Sequence, residues 1–138
     1  MFGDNLRGLQ HIGVPVTDLA ASRAFYSRLG FAEVMVRDLP FEQGTIHCVM
    51  FERKGLIIEI YQLFGSELDE IGRRGHGHVD HIALDVADID AAWQTVHEAG
   101  FTPLEPAPVF LPFWEKGCRY FNIQGPDGEK IEFNQRLT

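Results

Sequence analysis

An α+β fold built from two βαβββ modules is predicted by three features of this sequence: an internal repeat, an alternation of element types, and matched aspartate and glycine punctuation. HIGVPVTDLAASRAFYSRLGF at 11–31 aligns without a gap on HIALDVADIDAAWQTVHEAGF at 81–101. A second block, GTIHCVMFERKGLIIEIYQ at 44–62, aligns on GCRYFNIQGPDGEKIEFNQ at 117–135. The offset changes from 70 to 73, which places a three-residue insertion between residues 101 and 117 of the second copy. Self-similarity at a fixed spacing means that one supersecondary unit has been used twice.

Each copy reads in the same order. Residues 7–16 and 79–86 are short, apolar and rich in Val and Ile, as strands are. Asp18 and Asp88 follow as helix N-caps. Leu19, Tyr26 and Leu29 then share one face of a helix, with Ile89, Val96 and Ala99 as their equivalents. Gly30 and Gly100 sit where a glycine ends a helix. A strand and a hairpin pair follow, with GPDG at 125–128 as a turn between the last two strands. Residues of about 64–77 carry Gly and charge without a period and read as a linker. One domain over 1–138 therefore holds module one at about 7–63 and module two at about 78–136. Each sheet has one face covered by its helix, so pairing the two bare faces makes a cup.

At 138 residues the chain suits one compact domain, or two very small units sharing a core. An apolar share of 45% with 23% charged residues is that of a globular protein rather than a disordered one. Lys and Arg number 12 against 20 Asp and Glu, a formal charge of −8, which argues against nucleic-acid backbones as partners. The apolar stretch LIIEIYQLF at 56–64 contains a charge and is far too short to span a bilayer, so no membrane role is expected. MFGDNLRGLQ lacks the plan of a signal peptide, and Cys48 and Cys118 make no disulfide framework. The expected compartment is the reducing cytoplasm.

Few ionisable positions repeat identically. His11 and His81 lie on the first strands, and Glu59 and Glu132 on the last ones. Asp18 and Asp88 repeat as well, but capping explains them. Both glutamates interrupt apolar strands, LIIEIY and KIEF, where a carboxylate is costly unless paired. A lone His on an apolar strand is more often a satisfied core residue than a ligand, and a lone Glu often faces solvent or an Arg. The doubling shifts the balance toward a bound cation, since two imidazoles and two carboxylates make a reasonable metal shell.

These segments, above all LQHIGVPVTDLAASRAFYSRLGF, LIIEIYQ, VDHIALDVADIDAAW and GPDGEKIEFNQ, resemble the vicinal oxygen chelate superfamily over essentially residues 7–136. That superfamily includes glyoxalase I, methylmalonyl-CoA epimerase, extradiol dioxygenases and fosfomycin-resistance enzymes. The resemblance implies one divalent ion per site (Ni, Co, Mn, Fe or Zn) on His11, Glu59, His81 and Glu132. The dioxygenase-like and fosfomycin-like members use only the positions of His11, His81 and Glu132, and epimerase-like members commonly carry Gln at the position of Glu59. His-Glu-His-Glu is the glyoxalase I pattern. It implies an octahedral site with two exchangeable positions and a lyase or isomerase that removes a proton next to a carbonyl. By the same resemblance Glu132 is the catalytic base and Glu59 its partner on the opposite side. The alternatives are an acyl-thioester epimerase, an extradiol-type dioxygenase, and a metal-free protein that sequesters a small molecule. A homodimer is the expected assembly, with the cup formed in one chain or across a swapped pair.

The glutathione contacts of glyoxalase I are not retained. Its Arg four residues after the first ligand is Pro15 here, and its Asn four residues after the second is Leu63, so lactoylglutathione is not the expected substrate. Alternation along the strands puts Leu9, Gly13, Ile57, Tyr61, Ala83, Asp85, Lys130 and Asn134 on the ligand faces. Closing the second hairpin at GPDG sets Phe121 opposite Glu132, with Arg119 and Ile123 on the same face. In module one the equivalents are Ile46, Cys48 and Met50. Tyr61, Phe121, Cys48 and Asn134 are thus expected to line the substrate site, with Arg119 and Lys130 as anion holders or rim charges. Cys48 reads as a small packed hydrophobe rather than a nucleophile, and Trp114 as packing for a loop. HGHVDH at 76–81 resembles the zinc motif of metallo-β-lactamase-fold hydrolases, but a charged linker precedes it and the repeat accounts for His81 without His76 or His78.

Overall fold

The computed structural model describes residues 1–74, 79–124 and 130–138. The GPDG segment, His76 and His78 lie outside the described residues. The chain divides into two compact units, one of His11–Asp80 and the other joining Met1–Gln10 to His81–Thr138. Strand β1 (Leu6–Pro15) contributes its start to the second unit and its end to the first.

In the His11–Asp80 unit, β1 is followed by α1 (Leu19–Arg28), β2 (Ala32–Phe41), β3 (Gly44–Arg53) and β4 (Leu56–Gln62). β4 runs parallel to β1, and β2, β3 and β4 are joined antiparallel. Lys54 and Gly55, at φ +50° and +84°, make the two-residue turn between β3 and β4. Val49, Phe51 and Ile60 are fully buried, and Leu19 and Tyr26 of α1 pack on them. Leu29 is more than half exposed, so the apolar face of α1 stops short of the position expected for it.

In the second unit, β5 (His81–Val86), α3 (Ile89–Glu98), β6 (Val109–Leu111), β7 (Cys118–Gln124) and β8 (Lys130–Arg136) repeat the order. β8 is parallel to β5 and antiparallel to β7, which pairs with β6. Val86, Ile89, Ala92, Val96, Phe121 and Phe133 form its core. Ala99 is exposed, as Leu29 is, because both lie in the turn that closes the helix.

Most repeat identities have local explanations. Asp18 accepts from Ala21 N–H, and Asp88 from Asp90 and Ala91 N–H, as N-caps do. Gln62 and Gln135 supply a second cap from the sheet, each through an amide oxygen that accepts from the first helical N–H, of Leu19 and Ile89 respectively. Gly30 and Gly100 have φ of +90° and +84°, and the Phe after each donates back five residues, to Tyr26 and Val96 carbonyls. That is the Schellman closure, which needs a left-handed residue.

The linker differs from its expectation. It opens with a helix, α2 (Gly65–Gly72), held at its end by the Arg74–Glu70 pair at 2.9 Å. The helix is only two turns long, and its apolar side, Leu68 and Ile71, is half-buried, so the sequence offers too short a period to read as a helix. Among the described residues, no helix is long and apolar enough to cross a membrane.

Candidate functional site

His11 stands on β1, and the residue two beyond it, Gly13, is the register partner of Glu59 on β4. His81 stands on β5, and the residue two beyond it, Ala83, is the register partner of Glu132 on β8. Each copy of the repeat thus builds the same pair. His11 Nε2 lies 3.6 Å from Glu59 Oε2, and His81 Nε2 lies 3.5 Å from Glu132 Oε2. All four side chains are buried, at 1%, 9%, 8% and 7% exposure. The separations are too long for good hydrogen bonds. They are close to the roughly 3.0–3.4 Å expected between two donors each about 2.1 Å from one ion. Each pair therefore offers one nitrogen and one oxygen donor at a spacing close to that of two ligands on one ion.

The two glutamates have different surroundings. Asn134 Nδ2 donates to Glu132 Oε1 at 2.7 Å, and Asn134 Oδ1 accepts from Gln10 Nε2 at 2.8 Å. An amide chain thus holds one carboxylate oxygen while the other is turned to His81. Asn134, expected to line the substrate site, shares the Glu132 face and donates its amide to that carboxylate. In module one the equivalent residue is Tyr61, whose phenol hydrogen-bonds Asp80. Burial, then the charge and hydrogen bond of Asp80, push the Tyr61 phenol well up. Across the hairpin, Met50 pairs with Glu59 and Cys48 with Tyr61, so the face expected for module one is present. Burial first, then the charges of Glu59 and Asp38, push the Cys48 thiol up, which keeps it a packed apolar group.

The second hairpin corrects the sequence reading. Phe121 pairs with Phe133, and it is Asn122 that stands opposite Glu132. The turn is the reason: Glu52 pairs with Ile57 around four residues, whereas the equivalent pair Gln124–Lys130 encloses five. A one-residue slip exchanges the two faces of a strand. Phe121 therefore lies in the core against α3, stacked on Phe133 with centroids 5.0 Å apart. Arg119 makes a two-pronged ion pair with Asp90 at 2.7 and 2.9 Å, which lowers the Asp90 carboxyl and raises the guanidinium. Neither residue shares the Glu132 face. Lys130, exposed at the start of β8, is two residues from Glu132 and does share it.

Leu9 was expected on the ligand face and is 54% exposed. Arg7 and Gln10, three apart, both reach Asp85, so β1 loses strict alternation near Gly8, where φ is +137°. Trp114 is buried under the Arg136 guanidinium, 4.3 Å from its ring centre. Asn122 was missed by the sequence reading. The signal available was turn length, which a gap-free alignment hides.

The family model for the Glyoxalase/Bleomycin resistance protein/Dioxygenase superfamily matches residues 8–133. The chain belongs to this superfamily. A relative within reach of sequence is "Uncharacterized protein YwbC" of Bacillus subtilis (strain 168), 33% identical over 131 residues, covering 93% of this chain and 97% of that one. Among solved structures, methylmalonyl-CoA epimerase from Mycobacterium tuberculosis superposes with a TM-score of 0.81 at 20% identity, covering 100% of this chain and 93% of that one. The hypothetical protein BH1468 from Bacillus halodurans C-125 gives 0.78 at 27% identity, covering 94% of each. The superfamily assignment and these superpositions agree with the α+β repeat read from the sequence.

Proposed function

We propose that His11, Glu59, His81 and Glu132 together hold one divalent metal ion, and that the protein is a glyoxalase I-like lyase or isomerase of a small α-oxygenated carbonyl compound. The observation that carries this reading is the repetition of one buried His–Glu pair in both modules, with the same register and nearly the same separation. A divalent metal is usual in the superfamily. The donor set of two imidazoles and two carboxylates suits Ni, Co, Mn, Fe or Zn. When bound, such an ion supplies Lewis-acid stabilisation to the oxyanion that forms as a proton leaves the neighbouring carbon.

The chain's own residues do the rest. Glu132 takes the proton from carbon, with Asn134 holding its carboxylate in place before the transfer. Glu59 offers a second carboxylate for return of the proton to a different position or face. Met50, Cys48 and Tyr61 line the approach to Glu59 and keep water away. The pairing of Arg119 with Asp90 removes the strongest candidate for an anion holder, which favours a small substrate. Pro15 and Leu63 argue in the same direction against glutathione conjugates.

Proton transfer between two carboxylates also serves a second reading, an acyl-thioester epimerase, the activity named for the Mycobacterium tuberculosis structure. The deciding experiment pairs metal titration with exchange. The parent protein should bind about one Mn(II) or Ni(II) per chain and catalyse solvent deuterium exchange into an α-hydroxy ketone. Glu132→Gln should retain metal and lose exchange, and Glu59→Gln should be milder. No metal uptake by the parent sinks the reading. Equal exchange in Glu132→Gln and the parent at equal metal loading moves the base to Glu59.

A further inference from the structure

Asn122 is 7% exposed and stands opposite Glu132 on the neighbouring strand. Directly opposed residues of an antiparallel pair have Cβ atoms about 4.5–5.5 Å apart and point to the same face. Asn122 Nδ2 donates to Glu105 Oε1 at 2.7 Å, and its backbone N–H donates to Glu105 Oε2 at 2.7 Å. Leu104 N–H donates to the Asn122 carbonyl at 2.8 Å, so the loop before β6 is bonded to both backbone groups of this residue. A carboxylate only accepts, so Glu105 determines which end of the amide is nitrogen. The other end, Oδ1, is buried and has no hydrogen-bond donor among the described residues.

An unsatisfied buried acceptor costs about 1–3 kcal/mol. The fold does not require it, because module one has Met50 at the equivalent place. Of its neighbours on that face, Glu132 is itself an acceptor and Asn134 Nδ2 donates to Glu132 and Cys118 Sγ, and no described residue donates to Asn122 Oδ1. That oxygen is therefore left to a donor from outside the fold, a ligand or a water, on the face that Asn122 shares with Glu132.

We propose that Asn122 selects the substrate, its amide oxygen accepting a hydrogen bond from a hydroxyl next to the carbonyl. The substrate class is then an α-hydroxy carbonyl compound, in preference to a dicarbonyl or an α-alkoxy analogue. This rests on the reading of the Glu132 face as the proton-transfer site. Glu105 is a positioning residue, which keeps the amide oxygen turned to the ligand.

Two small probes separate the hydroxyl proton from the oxygens around it. Glycolate and methoxyacetate have the same oxygen framework, and only glycolate can donate. Calorimetric titration of the full chain, with and without Mn(II), should show glycolate binding roughly tenfold tighter, the value of one well-made hydrogen bond. Asn122→Met, which copies Met50 into module two, should bring the two probes level while Mn(II) uptake changes less than about twofold. Glu105→Gln leaves Asn122 in place but frees its amide to turn, and should lower the preference part of the way. This second variant decides the matter if Asn122→Met does not fold. The same glycolate preference in the parent and the folded variants, or no glycolate binding by the parent, overturns the assignment. Failure of the parent to take up Mn(II) sinks the metal reading instead, and the ratio of the two probes still decides Asn122.

Discussion

The His11–Glu59 and His81–Glu132 pairs are the same object in two settings. Strand register and separation agree in both copies, yet what surrounds each carboxylate does not. Glu132 is held by the Gln10–Asn134 amide chain and faces Asn122, so its neighbours are polar and directional. Glu59 faces Met50, with Cys48 and the Asp80-bound Tyr61 beside it, so its neighbours are largely apolar. The repeat thus keeps the His- and Glu-bearing strands alike, while the strands across each hairpin differ. The same His–Glu pair stands in polar, directional surroundings in one module and in largely apolar ones in the other.

The largest expected effect tests the face assignment in the second hairpin. Phe121→Ala should cost about 3–5 kcal/mol of unfolding free energy, as aromatic truncations in a core do, with metal affinity nearly unchanged. Loss of metal binding without loss of stability would put Phe121 back on the Glu132 face. Next in size, His11→Ala or His81→Ala should weaken Mn(II) binding by about a hundredfold or more, beyond what loss of an outer-sphere partner does. If one histidine matters and the other does not, the two pairs do not share an ion.

The comparison sharpens at the next level down. Asn134→Leu should weaken metal binding by about tenfold, because the Glu132 carboxylate loses its orienting donor. Its module-one equivalent, Tyr61→Phe, should change it by less than about twofold. Equal effects would erase the distinction between the two settings. Capping offers a milder contrast: Asp88→Ala should cost about 1 kcal/mol in a denaturant titration. Asp18→Ala should cost less, since Asp18 receives one N–H where Asp88 receives two. The smallest effect concerns pH. Arg119 lowers the Asp90 carboxyl, so the pair contributes stability above the ordinary aspartate value of 3.8 and loses it as pH falls through the lowered folded value. Arg119→Ala should remove that slope from the acid limb of a melting curve and leave metal binding alone.

What could be read from the sequence was whatever the repeat had kept for a physical reason. Asp18 and Asp88 cap, Gly30 and Gly100 close their helices, and the His and Glu positions sit in register, so all were visible as identities. Gln62 and Gln135 were visible too, but their capping role needed the strand ends to be placed in space. The side of β7 was not legible. The match of Gly44 with Gly117 carries the alignment through the hairpin at one offset, whereas the strand pairs require one residue fewer. That slip exchanged Arg119 and Phe121 for Asn122, and with them an anion holder and an aromatic wall for a buried amide. Helix α2 escaped because two turns are too short for the spacing of Leu68 and Ile71 to stand out as a helical period.

The first ten residues of the chain belong with its last fifty-eight. Asn5 exchanges two hydrogen bonds with Asp88 and accepts one from Ala87, Phe2 stacks on Phe133, and Arg7 pairs with Asp85. On the ribosome, these residues emerge before their partners and wait for segments made roughly eighty residues later. The His11–Asp80 unit is free to form as soon as it emerges, while the unit carrying His81 and Glu132 lacks β7 and β8 until residues 118–136 have been made. During synthesis, the His81–Glu132 pair is therefore the later of the two to acquire its surroundings. A change within residues 1–10 bears on the unit carrying that pair rather than on the module beside it in sequence.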